Sequence, residues 1–100
     1  MSGRSVYAMR AGDQLKVGVT KDVGKRLRNL QTGTGHQLQL VDQWVEPDAA
    51  WVESTMHAAL RPFRLMGEWF ACSDELARMA HQYAKLAALN PDECCVPWHD

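Results

Sequence analysis

Two runs of alternating residues on either side of a tight turn constrain this chain more than any other feature. Val6 and Ala8, then Leu15, Val17 and Val19, alternate with Ser5, Tyr7 and Met9 and with Lys16, Gly18 and Thr20, the period of two expected of half-buried strands. Ala11-Gly12-Asp13 supplies the turn, and so short a connection makes the two strands antiparallel. A loop of even length pairs residues whose numbers sum to an odd value, which puts Tyr7, Lys16 and Gly18 on one sheet face. Val6, Ala8, Leu15 and Val17 share the other. With that second set turned to the core, Tyr7 and Lys16 point away from it together, a placement that hydrophobicity does not explain.

The remaining pattern predicts helices interleaved with one more strand. Asp22 caps a helix with apolar positions Val23, Leu27 and Leu30, and Thr32-Gly33-Thr34-Gly35 stops it. Gln37 to Val45 alternates as a third strand. Pro47-Asp48 opens a second helix on Trp51, Val52, Met56, Ala59, Leu60 and Phe63, with Asp48 as its cap. Gly67-Glu68-Trp69-Phe70 breaks the pattern as a turn or short strand. Ser73 caps a third helix on Leu76, Met79, Ala80, Tyr83 and Leu86, which Asn90-Pro91 ends. The expectation is an α+β fold, a small three-stranded antiparallel or mixed sheet flanked by three helices, in one domain over 1–90 with a tail over 91–100. Trp44, Trp51 and Trp69 are expected to fill the core, and Trp98 to fold back over the domain or to mark a contact with another chain.

With 100 residues, 46% of them hydrophobic and 23% charged, the chain reads as one ordinary globular core. No apolar run approaches a membrane span and none follows the first residues as a signal peptide would, so a cytoplasmic protein is expected. Three cysteines, with Cys94 beside Cys95, read as reduced thiols, and Cys72, Cys94, Cys95 and His99 lack the spacing of a zinc grip. Charge is uneven along the chain. Residues 1–40 hold seven Lys or Arg against two acids, and residues 41–100 hold four against ten. Such a basic first part hints at a polyanionic partner.

Val6-Tyr7, Lys16-Val17-Gly18-Val19-Thr20, Lys25-Arg26-Leu27, Glu53 with His57, and Arg64-Leu65-Met66-Gly67-Glu68-Trp69-Phe70 resemble, in this order, the GIY-YIG nuclease superfamily. The resemblance covers about residues 6–73 and is closest to a small single-domain branch, common in phages and bacteria, that closes on Gly-Glu-Trp-Phe. It implies a GIY-YIG-like fold and a metal-dependent endonuclease acting on DNA with Mg or Mn. Tyr7 would activate water, Arg26 would stabilise the transition state and Glu53 would bind the metal. The sequence departs from the superfamily in Ser5-Val6-Tyr7, which lacks the first motif's glycine, and in Lys16-Val17-Gly18, where lysine replaces a tyrosine. Free tyrosine titrates near about pH 10. A nearby cation must therefore favour the tyrosinate, and Lys16, on the same hairpin face, is the candidate.

His57 lies four residues beyond Glu53 on one helical face, where it joins the metal shell, shuttles a proton, or serves the helix structurally. Lys21, Lys25, Arg28 and Arg64 are phosphate contacts on this reading, or a solvated basic face without it. His36 reads as a surface residue, and Glu68 as structural more readily than catalytic. Two rivals stand beside the enzyme: a catalytically silent module of the same fold that binds nucleic acid or protein, and a phage-encoded regulator whose acidic second half meets a basic partner. A catalytic domain this small would rely on a homodimer, a protein partner or a structured DNA.

Overall fold

The computed structural model describes residues 4–33, 35 and 37–89. His36, Cys94, Cys95, Trp98, His99 and the tail over 91–100 lie outside the described residues.

The chain runs β1 (Arg4–Ala11), β2 (Gln14–Thr20), α1 (Val23–Thr32), β3 (Leu38–Glu46), α2 (Ala49–Ala59), a 3-10 turn (Arg61–Phe63), β4 (Arg64–Met66), β5 (Trp69–Phe70) and α3 (Asp74–Leu89). The fold is α+β, but the sheet has five strands in the order β3-β1-β2-β5-β4, every pairing antiparallel, and this overturns the three-stranded expectation. The reason is the segment 64–70. Gly67 takes φ 56°, which lets Met66 and Trp69 pair across a two-residue turn, and the resulting hairpin adds to β2 through Leu15–Phe70 and Lys16–Trp69. Strands of two and three residues carry too few alternations to register as a period in sequence.

The first hairpin follows the parity expectation. Gly12, at φ 63°, and Asp13 form a two-residue turn, and Tyr7 pairs with Gly18, Met9 with Lys16, Val6 with Val19 and Ala8 with Val17. One face packs Val6, Ala8, Leu15, Val17 and Phe70 against Val52, Met56 and Ala59 of α2, Leu60 just after it, and Ala77, Ala80 and Ala84 of α3. The other face is covered as well: Tyr7 and Met9 pack beneath Val23, Leu27 and Leu30 of α1. Tyr7 therefore belongs to a second small core.

Helix ends follow their chemistry. Asp22 Oδ1 accepts from the Lys25 N–H at 3.0 Å and Ser73 Oγ from the Leu76 N–H at 3.0 Å, whereas Asp48 precedes α2 without a side-chain cap bond. Pro62 ends the second helical pattern early, so Phe63 sits in the 3-10 turn. The tryptophans do not fill the core: Trp44 and Trp69 are half-buried and Trp51 is exposed.

One irregularity redirects β3. Between Ala8 and Met9 of β1 the pairing skips Val41, so Leu38 and Leu40 lie opposite Ala11 and Met9 while Asp42, Trp44 and Glu46 lie opposite Ala8, Val6 and Arg4. The extra residue switches the parity of β3 from the α1 face to the α2 and α3 face. Glu46 is thereby buried, within 2.6 Å of His81 Nε2 and 2.7 Å of Lys85 Nζ, and Trp44 stacks on the His81 ring at 4.0 Å.

Candidate functional site

The site is built around the end of β2 that β5 leaves unpaired. Beyond Lys16, the Val17 N–H donates to the Glu68 carbonyl at 3.1 Å, and the Val17 carbonyl lies 2.9 Å from His57 Nε2. A carbonyl only accepts, so His57 donates from Nε2–H. Its ring stands edge-on to Phe70 at 5.0 Å. His57 thus fixes the peptide before Gly18, and that nitrogen is not offered to a metal.

On the α1 side, Tyr7 is fully buried and its ring lies over Gly18. A Cβ at residue 18 would fall 2.5 Å from the Tyr7 hydroxyl oxygen and 2.7 Å from Cζ, closer than real contacts allow. Gly18→Ala is expected to cost about 1–3 kcal/mol through overpacking, because a buried tyrosine ring has little room to shift. Thermal unfolding checks it; an unchanged midpoint would mean that the ring moves aside freely. The partner of the hydroxyl is Arg26, whose Nε donates to it at 3.4 Å from the exposed side of α1. This contact, with the charge it brings toward the phenol, raises the Arg26 guanidinium further above its ordinary value, and Glu68 acts in the same direction.

Lys16 is placed differently from the sequence expectation of its role. It shares the α1 face with Tyr7, but its Nζ lies 3.0 Å from Glu68 Oε1 and 5.4 Å from the centre of the Trp69 ring. The cation observed at the phenol is Arg26. Glu53, half-buried on α2, meets Glu68 from the other side of the sheet. Burial pushes the Glu53 carboxyl up and Glu68 adds to the rise, against the opposing charges of His57 and Lys16. Glu68 thus stands among Lys16, Glu53 and Arg26, the member of the site that sequence reasoning set aside as structural. Its sequence signal was its place after Gly67, in a turn that had to end somewhere.

Among the described residues no group of three or more His, Cys, Asp or Glu could hold a metal. Glu53 with Glu68 offers an oxygen-only pair, a donor set that suits a hard cation completing its shell with water and does not suit zinc. Lys21, Lys25 and Arg28 are exposed and form no ion pair among the described residues, while Arg64 donates from Nε to the Gly67 carbonyl at 3.0 Å. A groove of about 630 Å³ between β3 and α3, lined by Trp44, Arg78, His81 and Lys85, lies across β1 from this site. Its charges are spent on one another, Arg78 with Asp42 and both His81 and Lys85 with Glu46.

A tyrosine, an arginine, a lysine and two carboxylates thus gather at the open end of one strand of an α+β domain. The chain belongs to the T5orf172 domain family, a phage-associated, nuclease-like domain whose family profile matches residues 5–87. No curated protein and no solved structure matches the chain. Among the described residues no helix is long and apolar enough to cross a membrane.

Proposed function

We propose that the protein is a metal-dependent endonuclease of the GIY-YIG type that hydrolyses phosphodiester bonds in DNA. The observation that carries this reading is the convergence of Tyr7, Arg26, Lys16 and Glu53 on the free end of β2. Mg²⁺ or Mn²⁺ held by Glu53 would supply charge neutralisation at the phosphate and at the departing alkoxide. Arg26 donates to the phenol oxygen, and its exposed guanidinium turns onto the phosphate when substrate arrives. That movement frees the Tyr7 oxygen, which in its phenolate form would take the proton of the attacking water and end as neutral tyrosine while the new P–O bond forms and the old one breaks. Lys21, Lys25 and Arg28 hold flanking phosphates, which sets affinity without reading sequence.

The test is cleavage of supercoiled, linear, single-stranded and branched DNA with Mg²⁺ or Mn²⁺, comparing the wild type with Tyr7→Phe. The variant is expected to lose about 10²–10³-fold in kcat, the range of a positioned acid or base. Its unfolding midpoint should barely move, because a contact of 3.4 Å is a weak hydrogen bond. Equal turnover in both proteins removes Tyr7 from the chemistry.

The complete burial of Tyr7 favours a second reading, a module that binds nucleic acid and does not cleave it. Binding without cleavage of any of the four substrates, with affinity falling steeply as salt rises, would select it.

A further inference from the structure

We propose that Glu68 is a positioning residue of this site, acting through Lys16; the inference rests on the nuclease reading above. The hairpin that presents Glu68 is fixed at both ends of its turn. Gly67 sets the reversal, and the Glu68 carbonyl is tied to the Val17 N–H at 3.1 Å, so its Cα is held against the free end of β2. From there its carboxylate reaches Lys16 Nζ at 3.0 Å, while the Trp69 ring lies 5.4 Å away.

The Lys16 side chain is only 13% exposed. Lysine is a point charge on a flexible stem, and it becomes a fixed charge only where something holds it. Here one carboxylate and one ring face hold it, two residues before the glycine that underlies Tyr7. A positive charge already in place costs no reorganisation when negative charge develops on a phosphate oxygen. The same Glu68 carboxylate also neighbours Glu53, whose carboxyl it pushes up, so a single side chain links the α1 side of β2 to the α2 side. A pair that only stabilised the fold would need no such connection to the two groups that the nuclease reading already uses. Loss of Glu68 should therefore slow turnover more than it weakens DNA binding, because the flanking cations that set affinity do not touch it.

The test combines a spectroscopic readout with kinetics on the full chain. The Lys16 ammonium is followed by ¹H–¹⁵N NMR, its signal assigned by its loss in Lys16→Arg, in the wild type, Glu68→Ala and Glu68→Gln. Glutamine keeps the length of the side chain and an oxygen that accepts from Lys16, so it serves where alanine leaves the lysine uncompensated and unfolds the protein. Expected are a slowly exchanging Lys16 signal in the wild type, its loss in Glu68→Ala, and a kcat for DNA cleavage lowered about 100-fold in Glu68→Ala and less in Glu68→Gln. KM should stay within about three-fold. An unchanged Lys16 signal in both variants overturns the proposal. A lost signal with unchanged kcat makes the pair structural, which overturns the proposal and leaves the nuclease reading intact. Failure of the wild type to cleave any DNA removes that reading and this role together.

Discussion

Glu53→Ala is expected to lower metal-dependent DNA cleavage by at least about 10³-fold, the scale of losing a bound cation's charge stabilisation. The fold should survive, because Glu53 lies outside the apolar cluster that α2 contributes through Ala49, Val52, Met56 and Ala59. Alanine is also the better helix former. The unfolding midpoint should hold or rise. Burial beside Glu68 holds the Glu53 carboxyl above the usual carboxylate range, so at neutral pH its ionised form is less stable in the folded protein than in the unfolded chain. A site that costs stability is what a functional carboxylate pair is expected to show. Cleavage assays with Mn²⁺ alongside thermal unfolding decide it, and undiminished cleavage would take Glu53 out of the metal site.

The largest stability effect is expected at Glu46, away from the site. Burial alone would raise its carboxyl, but the hydrogen bonds and charges of Lys85 and His81 outweigh it and hold Glu46 below the usual carboxylate range. Breaking a buried pair costs about 3–5 kcal/mol. Lys85 is 48% exposed and recovers water when its partner goes, so Glu46→Ala should cost less, about 2–3 kcal/mol, or roughly 10 °C or more in midpoint. The sign with pH follows from the lowered value. Stabilisation by Glu46 is fully present above the usual glutamate range and is lost as pH falls through that range toward the lower folded value. Urea unfolding at about pH 7 and about pH 3 should show the gap between wild type and variant closing in acid. A gap that stays constant would show that His81 and Lys85 do not hold the ionised form.

Local rules carried most of the agreement between residues and structure, with Asp48, which makes no cap bond, and the early end of α2 before Pro62 as local exceptions. The Gly12-Asp13 turn fixed the register of the first hairpin, and with it the shared face of Tyr7, Lys16 and Gly18. Asp22 and Ser73 start the helices that they were expected to cap. The larger disagreements arise where pairing crosses long stretches of chain. The period of two could not show that β3 skips Val41, because a bulge becomes visible only against a partner strand. Nor could it show that the short hairpin at Gly67 joins β2 and carries Glu68 to Lys16.

Periodicity, turn glycines and caps in the sequence were enough to set the α+β class, the first hairpin and all three α-helices, because each depends on neighbours within a turn or two of chain, whereas the candidate site residues came from a family resemblance. Tertiary structure decided the two added strands, the burial of Tyr7 under α1, the meeting of Arg26 with its hydroxyl, and the link that Glu68 makes between Lys16 and Glu53. Those contacts join residues distant in sequence, and distance along a chain leaves no period to read; only packing against both faces of one sheet brings them together.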